Sequence, residues 1–309
     1  MNSYKGYRIE VDNKINACVF CGLSPRAEDD IIQYLDYTWN PIAMRCNAVS
    51  DGCANCWHMR MAHRMKHNNI LSKKKRAAYA GDDPVFDLTE LSRPLRKHNS
   101  KIGVQFMGDL FHPNVTDEYI HAVFSIMFDC LSIKQTGNTF FILTKRPARM
   151  KEFLTKIDRE DGDKYQYDNI WFGVSAENQE TADRRIPVLL DSPVKHRWIS
   201  AEPLLGEIDL REYPNIRCGC GDCWTREGGW PCPTPANKVD WVVCGAETGP
   251  GARPMHWEWA ISLADQCKAA KAPFFFKEPW SPLTPDGCRI RELPPCDCES
   301  CQECRAKGF

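Results

Sequence analysis

Six short apolar runs recur along the chain, and each is followed at once by a polar or glycine-containing turn. The runs are Gly103–Met107 (GVQFM), Thr139–Leu143 (TFFIL), Ile170–Val174 (IWFGV), His196–Ser200 (HRWIS), Val239–Cys244 (VDWVVC) and Pro273–Phe276 (PFFF). Each is too short for a helix of ordinary length and apolar enough to be buried on both faces, which predicts strands of a parallel sheet. A further strand is predicted near Asp36–Asn40. Between the runs lie helical patterns. The clearest starts at Thr116 as N-cap, with Asp117 and Glu118 in the first turn and Ile120, Val123, Phe124, Met127, Phe128 and Leu131 spaced to form one apolar face. A second spans Trp257–Ala270, and others are expected after Cys53 and Asn178. Strand and helix in alternation predict an α/β fold, a partial or full TIM-like (β/α) barrel.

The turns after the strands carry the polar chemistry: Gly108-Asp109, Thr144-Lys145-Arg146, Ser175-Ala176-Glu177, Ala201-Glu202-Pro203, Gly245-Ala246-Glu247 and Lys277-Glu278. In a parallel barrel these C-terminal strand ends converge on one mouth. Lys145, Arg146, Glu177, Glu202, Glu247 and Lys277 are therefore the candidate catalytic residues. Each could equally end a strand or cap a helix, so the weight lies in the series of six.

Length adds little, since 309 residues suit one barrel with appendages. Forty basic residues against 41 acidic ones leave no global field to steer the chain toward nucleic acid or a membrane surface. With no signal-peptide core in its opening residues and no apolar run of spanning length, the chain is expected in the cytoplasm. One concentrated basic stretch, Lys73-Lys74-Lys75-Arg76, follows Arg60, Arg64 and Lys66; it reads as a solvated surface or a local phosphate contact.

The 17 cysteines change the picture most, because clustered thiols in a reducing compartment point to metal sites rather than disulfides. Cys46, Cys53 and Cys56 form a three-thiol loop leading into a helix. Structural zinc takes four protein ligands, whereas a cubane iron–sulfur cluster held by three cysteines leaves one iron open. A zinc site completed by a distant cysteine, His58 or His63 is the competing arrangement. Three more groups follow: Cys18 and Cys21; Cys218, Cys220, Cys223 and Cys232; and Cys296, Cys298, Cys301 and Cys304. These suit structural zinc or an auxiliary cluster. Cys130, Cys244 and Cys267 fall in predicted helices and a strand, as ordinary buried thiols do. The domains expected are an N-terminal cysteine-containing extension over 1–35, the barrel over 36–280 with a cysteine-rich insertion at about 217–234, and a cysteine-rich tail over 281–309.

The stretches TWNPIAMRCNAVSDGCANCWHMRMAHRM, FMGDLFH, FILTKRPARM, IWFGVSAENQETADRRIPVLL, HRWISAEPLLGEIDL and DWVVCGAETGPGARPMHWEWAISLADQC resemble, in collinear order, a family of phage and bacterial proteins named after the phage proteins gp-thirty-seven and gp-sixty-eight. That family is regarded as similar to radical S-adenosylmethionine (SAM) enzymes. The resemblance implies a 4Fe-4S cluster on Cys46, Cys53 and Cys56, with SAM bound near Gly108, Asp109, Ser175, Glu177 and Trp57, Asp109 meeting the methionine amine. It implies reductive SAM cleavage and hydrogen abstraction from a small-molecule or nucleotide/nucleic-acid substrate, with flavodoxin or ferredoxin as electron donor. Radical SAM enzymes space their first two cysteines more closely than the six residues found here, and Asn55 stands where an aromatic commonly precedes the third cysteine. Cys244-Gly245-Ala246-Glu247-Thr248 departs from the family's Gly-Gly-Glu-Ser but keeps a carboxylate and a hydroxyl. The alternatives are a zinc-stabilised nucleic-acid- or partner-binding barrel without radical chemistry, and a hydrolase or transferase using the mouth carboxylates.

Overall fold

The computed structural model describes Ile32 and residues 34–161, 169–213, 238–270 and 272–277. Seven strands form one parallel sheet in strict chain order, β1 (Tyr37–Trp39), β4 (Lys101–Val104), β5 (Thr139–Thr144), β6 (Ile170–Ser175), β7 (His196–Ala201), β8 (Trp241–Gly245) and β9 (Phe274–Lys277). A two-stranded antiparallel ribbon of β2 (Ile42–Ala43) and β3 (Val85–Phe86) stands beside it. The helices are α1 (Trp57–Met65), α2 (Lys73–Ala80), α3 (Leu88–Leu91), α4 (Asp117–Ser132), α5 (Pro147–Asp161), α6 (Gln179–Leu190) and α7 (Trp257–Ala270).

Side-chain alternation divides the sheet into two faces. Phe140, Ile142, Ile170, Phe172, Val174, Ile199, Val242 and Phe274 point to one and pack with Val123, Phe124, Met127, Ile186, Leu189 and Leu263 of the helices in a single large core. Phe141, Trp171, Trp198, Trp241, Val243 and Phe275 point to the other and meet Tyr34 and Leu35. Phe141 of β5 and Trp241 of β8 lie 5.7 Å apart by ring centroids. In a flat sheet, strands three positions apart would be separated by about 14 Å. The sheet therefore curls, and the second face is the inner wall of a partial β/α barrel. Glycine at 173 allows this packing: a Cβ there would come within 2.4 Å of the Trp198 indole, which crosses β6 to donate from Nε1 to Ile142 O of β5 at 3.1 Å.

Every predicted strand is present, and one is displaced. The run Gly103–Met107 contributes only its first residues to β4, which ends at Val104 because Gln105 takes φ 54°. Gln105 is fully buried, and its side-chain amide bonds Ile42 N, Ile42 O and Met107 O, fixing the turn that leads to Gly108. Helix α4 starts as expected at Thr116, whose Oγ1 accepts from Tyr119 N. Its inner face closes on Cys130 rather than on Leu131, which is exposed. Lys73–Arg76 follows α1, which carries Arg60 and Arg64, and itself opens α2, with Ser72 as N-cap. Among the described residues no helix is long and apolar enough to cross a membrane. The cysteines of the extension, the insertion and the tail lie outside the described residues.

Candidate functional site

The loop between β2 and α1 brings Cys46, Cys53 and Cys56 to the C-terminal ends of the sheet strands. All three thiols are half-buried and none is in a disulfide. Cys53 closes a 3-10 turn over Asp51–Cys53, and Cys56 is the N-cap residue of α1, where the helix dipole favours a thiolate. The loop has little apolar substance of its own; polar groups at the strand ends hold it. Arg146 Nη1 lies 3.7 Å from Cys46 Sγ, and its Nη2 donates to Asn47 O (3.2 Å) and Asn47 Oδ1 (2.8 Å). Lys145 Nζ lies 3.6 Å from Cys53 Sγ. Thus two successive residues after β5 each place a cation against a different thiol.

Burial pushes the Cys46 thiol up, with Arg146 opposing it. At Cys53 burial works the same way, but Lys145, the backbone at Val49 and Ser50 and the Ser50 hydroxyl outweigh it, so this thiol lies below its ordinary range.

Two carboxylates set those cations in place. Asp109, expected at the SAM amine, is held by four donors. Oδ1 accepts from Phe111 N (2.9 Å) and Thr144 Oγ1 (2.8 Å), while Oδ2 accepts from Lys145 N (3.1 Å) and pairs with Arg146 Nη1 (2.9 Å). Asp109 acts on the site through Arg146. Glu177 is fully buried and pairs with Lys145 Nζ (2.5 Å) and Arg185 Nη1 (2.9 Å), while its Oε1 also accepts from Ser50 Oγ (2.9 Å). Burial acts to raise its pKa, but Lys145 and Arg185 prevail and hold it below the usual carboxylate range. Gly52 is what lets the loop sit on this carboxylate, since a Cβ there would lie 2.4 Å from Glu177 Cγ.

The far side of the mouth anchors the loop again. Glu247 accepts from Asn55 Nδ2 (2.9 Å), Arg253 N (2.8 Å) and the Arg253 guanidinium (2.6 Å to Oε1), and Arg253 also donates to Asp51 O (2.9 Å). The Arg253 hydrogen bonds hold the Glu247 carboxyl at about 2. Glu247 is therefore a clamp on the loop. Glu202 pairs with Lys277 (3.0 Å) and accepts from Ser200 Oγ (3.0 Å), on the inner wall above the tryptophans. Ser175 is buried, and its carbonyl accepts from Arg185 (2.7 Å). Gly108 has φ 133°, and a Cβ there would lie 2.7 Å from Met44 Sδ, so glycine is required for the turn. Trp57 is half-buried at the start of α1 and meets His58 edge-on at 6.3 Å.

Of the two histidines of the zinc alternative, His58 stands in the first turn of α1 against the cysteine loop and His63 further along that helix. His58 Nε2 accepts from Cys46 N (3.3 Å), and burial lowers its pKa to about 4, so the ring is a neutral structural acceptor. His63 packs against His67 at 5.2 Å near the other end of α1. Among the described residues no three His, Cys, Asp or Glu side chains are grouped to hold one metal ion. A zinc tetrahedron with bonds of about 2.3 Å would need sulfurs ~3.8 Å apart. The three thiols are free of disulfides and two of them face cations, a donor set whose chemistry suits an anionic iron–sulfur cluster.

Several residues of the site carried no sequence signal. Arg185 reaches Glu177 from the middle of α6, His112 meets Asn47 Oδ1 at 2.5 Å, and Ser50 links loop to strand end. Asn55 stood out only as a departure from an aromatic position; its contacts with Glu247 and Gly251 O (2.8 Å) give it a tethering role. Residues 29–291 match a family described as a protein of unknown function (DUF5131). No curated protein and no solved structure matches the chain.

Proposed function

We propose that this chain, which belongs to the DUF5131 family, is a radical SAM enzyme whose Cys46, Cys53 and Cys56 hold a 4Fe-4S cluster at the mouth of its partial barrel. The observation that carries the reading is the pairing of a cation with each of two loop thiols: Lys145 with Cys53 and Arg146 with Cys46. A cluster ligated by three thiolates is anionic, and N–H donors to its sulfurs stabilise that charge and tune its potential. When bound, the cluster would supply one-electron reduction of SAM and, through SAM cleavage, a radical able to abstract hydrogen.

The chain's own residues do the rest. Asp109 aims Arg146 at Cys46, and Glu177 holds Lys145 between a carboxylate and Cys53. Asn55, Glu247 and Arg253 fix the loop at its other end. Ser200, Glu202 and Lys277 stand on the inner wall with a charge of each sign, available to orient a substrate. Below them the packed tryptophans exclude water, which protects a reactive intermediate from quenching. An electron donor such as flavodoxin or ferredoxin and a small-molecule or nucleotide substrate complete the reading.

The test is anaerobic reconstitution with iron and sulfide, followed by metal analysis, spectroscopy with and without SAM, and assay of deoxyadenosine under reducing conditions. Wild type should take up one cluster whose spectrum changes on adding SAM, and alanine at Cys46, Cys53 or Cys56 should abolish both. A folded wild-type protein that carries zinc in this loop, takes up no cluster and leaves SAM intact would overturn the proposal.

A further inference from the structure

Beside the cysteine loop, between the start of α5 and the exposed face of α6, lies a cavity of about 410 Å³. Its charged lining is entirely cationic: Lys145, Arg146, Arg149, Arg184 and Arg185. Pro113 and Val188 give it apolar walls. The carboxylates that balance these cations stand outside the lining. Glu177 and Asp109 are buried behind Lys145, Arg185 and Arg146; Glu180 meets Arg184, and Asp117 meets Arg149, on the solvent side.

Two features make this more than a basic patch. Arg185 is a buried residue whose Nη1 alone is used by the protein, on Ser175 O and Glu177 Oε2. Its Nε and Nη2 have no protein acceptor among the described residues, yet they are not sealed from solvent, and the side chain lines the cavity. Second, α5 begins here with Pro147, and the first helical bond runs from Met150 N to Arg146 O. The amides of Ala148 and Arg149, which precede that bond, have no acceptor among the described residues and stand at the positive end of a 15-residue helix.

We propose that this cleft binds the phosphate of a small phosphorylated molecule, with Arg185 and the α5 amides as its principal donors. Fork-shaped guanidinium donors and helix-start amides match the several oxygens of a phosphate group. The volume suits one small ligand. A nucleic-acid backbone would ask for a track of cations, and the basic stretch Lys73–Arg76 lies on α2, with Lys75 paired to Asp87 and Arg76 bonded to Asn69 Oδ1. Because Lys145 and Arg146 form both the cleft wall and the support of the thiols, the rest of the ligand reaches toward the mouth. That the ligand is the substrate rests on the function proposed above; the binding itself does not.

The experiment is calorimetric titration of the full-length chain with inorganic phosphate and inorganic pyrophosphate, beside two variants. Ala148→Asp places a carboxylate at an exposed helix start, where it favours the helix yet repels an anion. Arg184→Glu reverses an exposed cation of the lining. Wild type should bind at least one anion, and each variant should weaken it about tenfold or more with an unchanged thermal midpoint. Equal affinity in wild type and both variants, or no binding of either anion by wild type, would overturn the site. Tighter binding of a short single-stranded oligonucleotide that is lost on neutralising Lys73 and Lys74 would overturn it in favour of a nucleic-acid surface. Repeating the titration with Cys53→Ala separates the two proposals: retained binding there, whatever happens to SAM cleavage, supports the cleft in its own right, and binding that disappears with the thiol overturns it as an independent site.

Discussion

The inner wall of the sheet has two halves built from the same strands. Toward the strand starts it is a plug of rings, in which Tyr34 lies edge-on to Trp241 at 5.1 Å and to Phe275 at 5.7 Å, and Trp198 meets Trp241 at 5.6 Å. Toward the strand ends it is almost wholly polar, with Ser175, Ser200, Glu202 and Lys277 continuing the same rows. The difference shows how one sheet separates stability from chemistry. The aromatic half gains its energy by removing apolar area from water, and its indole finds a backbone acceptor in place. The polar half keeps its charges in pairs at the open end, where they can exchange partners with a ligand.

The strongest way to break this division is to remove the central ring. Trp198→Ala should cost about 3–5 kcal/mol in chemical denaturation, because the cavity left is walled by other rings that cannot collapse into it. Single alanine substitutions at Cys46, Cys53 and Cys56 in the metal-free protein should each cost far less. Equal losses in the two sets would show that the halves are not separate.

Next comes Glu177→Gln, which keeps the shape but leaves Arg185 and Lys145 without their shared counter-charge; about 2–3 kcal/mol is expected from the same denaturation curves. Because the folded-state pKa of Glu177 is depressed, its contribution is present above the unfolded carboxylate value and is lost as pH falls. The gap between wild type and variant should therefore narrow in acid, and a gap that widens would contradict the assignment.

A smaller effect is expected from Lys145→Met. Without the ammonium group, burial is less strongly opposed at Cys53, and its thiol should move up. Alkylation of Cys53 in the metal-free protein, followed by mass spectrometry at neutral pH, should slow severalfold while Cys56 keeps its rate. Slowing of both thiols together would point to a general closing of the loop instead.

The smallest is at the far anchor. Glu247 lies at about 2 when folded against a usual 4.5, so its pairing with Arg253 stabilises above pH 4.5 and is lost as pH falls toward 2. Glu247→Gln should melt slightly below wild type near neutrality, and the two midpoints should converge over that acid window. A constant offset at every pH would mean that the carboxylate acts only through shape.

Much of the fold was legible because buried parallel strands write themselves as apolar runs and are ended by polar turns. Phe140 and Phe172 on one face, and Phe141 and Trp171 on the other, are all buried, as the unbroken runs implied. The shortened β4 was not legible, since Gln105 ends the strand through bonds to Ile42, a residue 63 positions away. At the site, the residues that follow strands were legible by position, but their roles were not. Asp109 was read only as an implied partner of the SAM amine; four donors from two stretches of chain, Phe111 and Thr144–Arg146, also make it a brace. Arg185 gave no sign, because a cation in a helix rich in other charges is indistinguishable by pattern from a solvated one.

The manner in which the cysteine loop is fastened has a mechanical consequence. It is bound to the end of β5 through Arg146, to the turn after β6 through Ser50 and Gly52 on Glu177, and to the segment after β8 through Asn55 and Asp51. Those three anchor points lie along the arc of the curled sheet, so the loop runs as a chord beneath a bow. A loop fastened at three strand ends holds its three thiols in a spacing that depends on the shape of the sheet behind them.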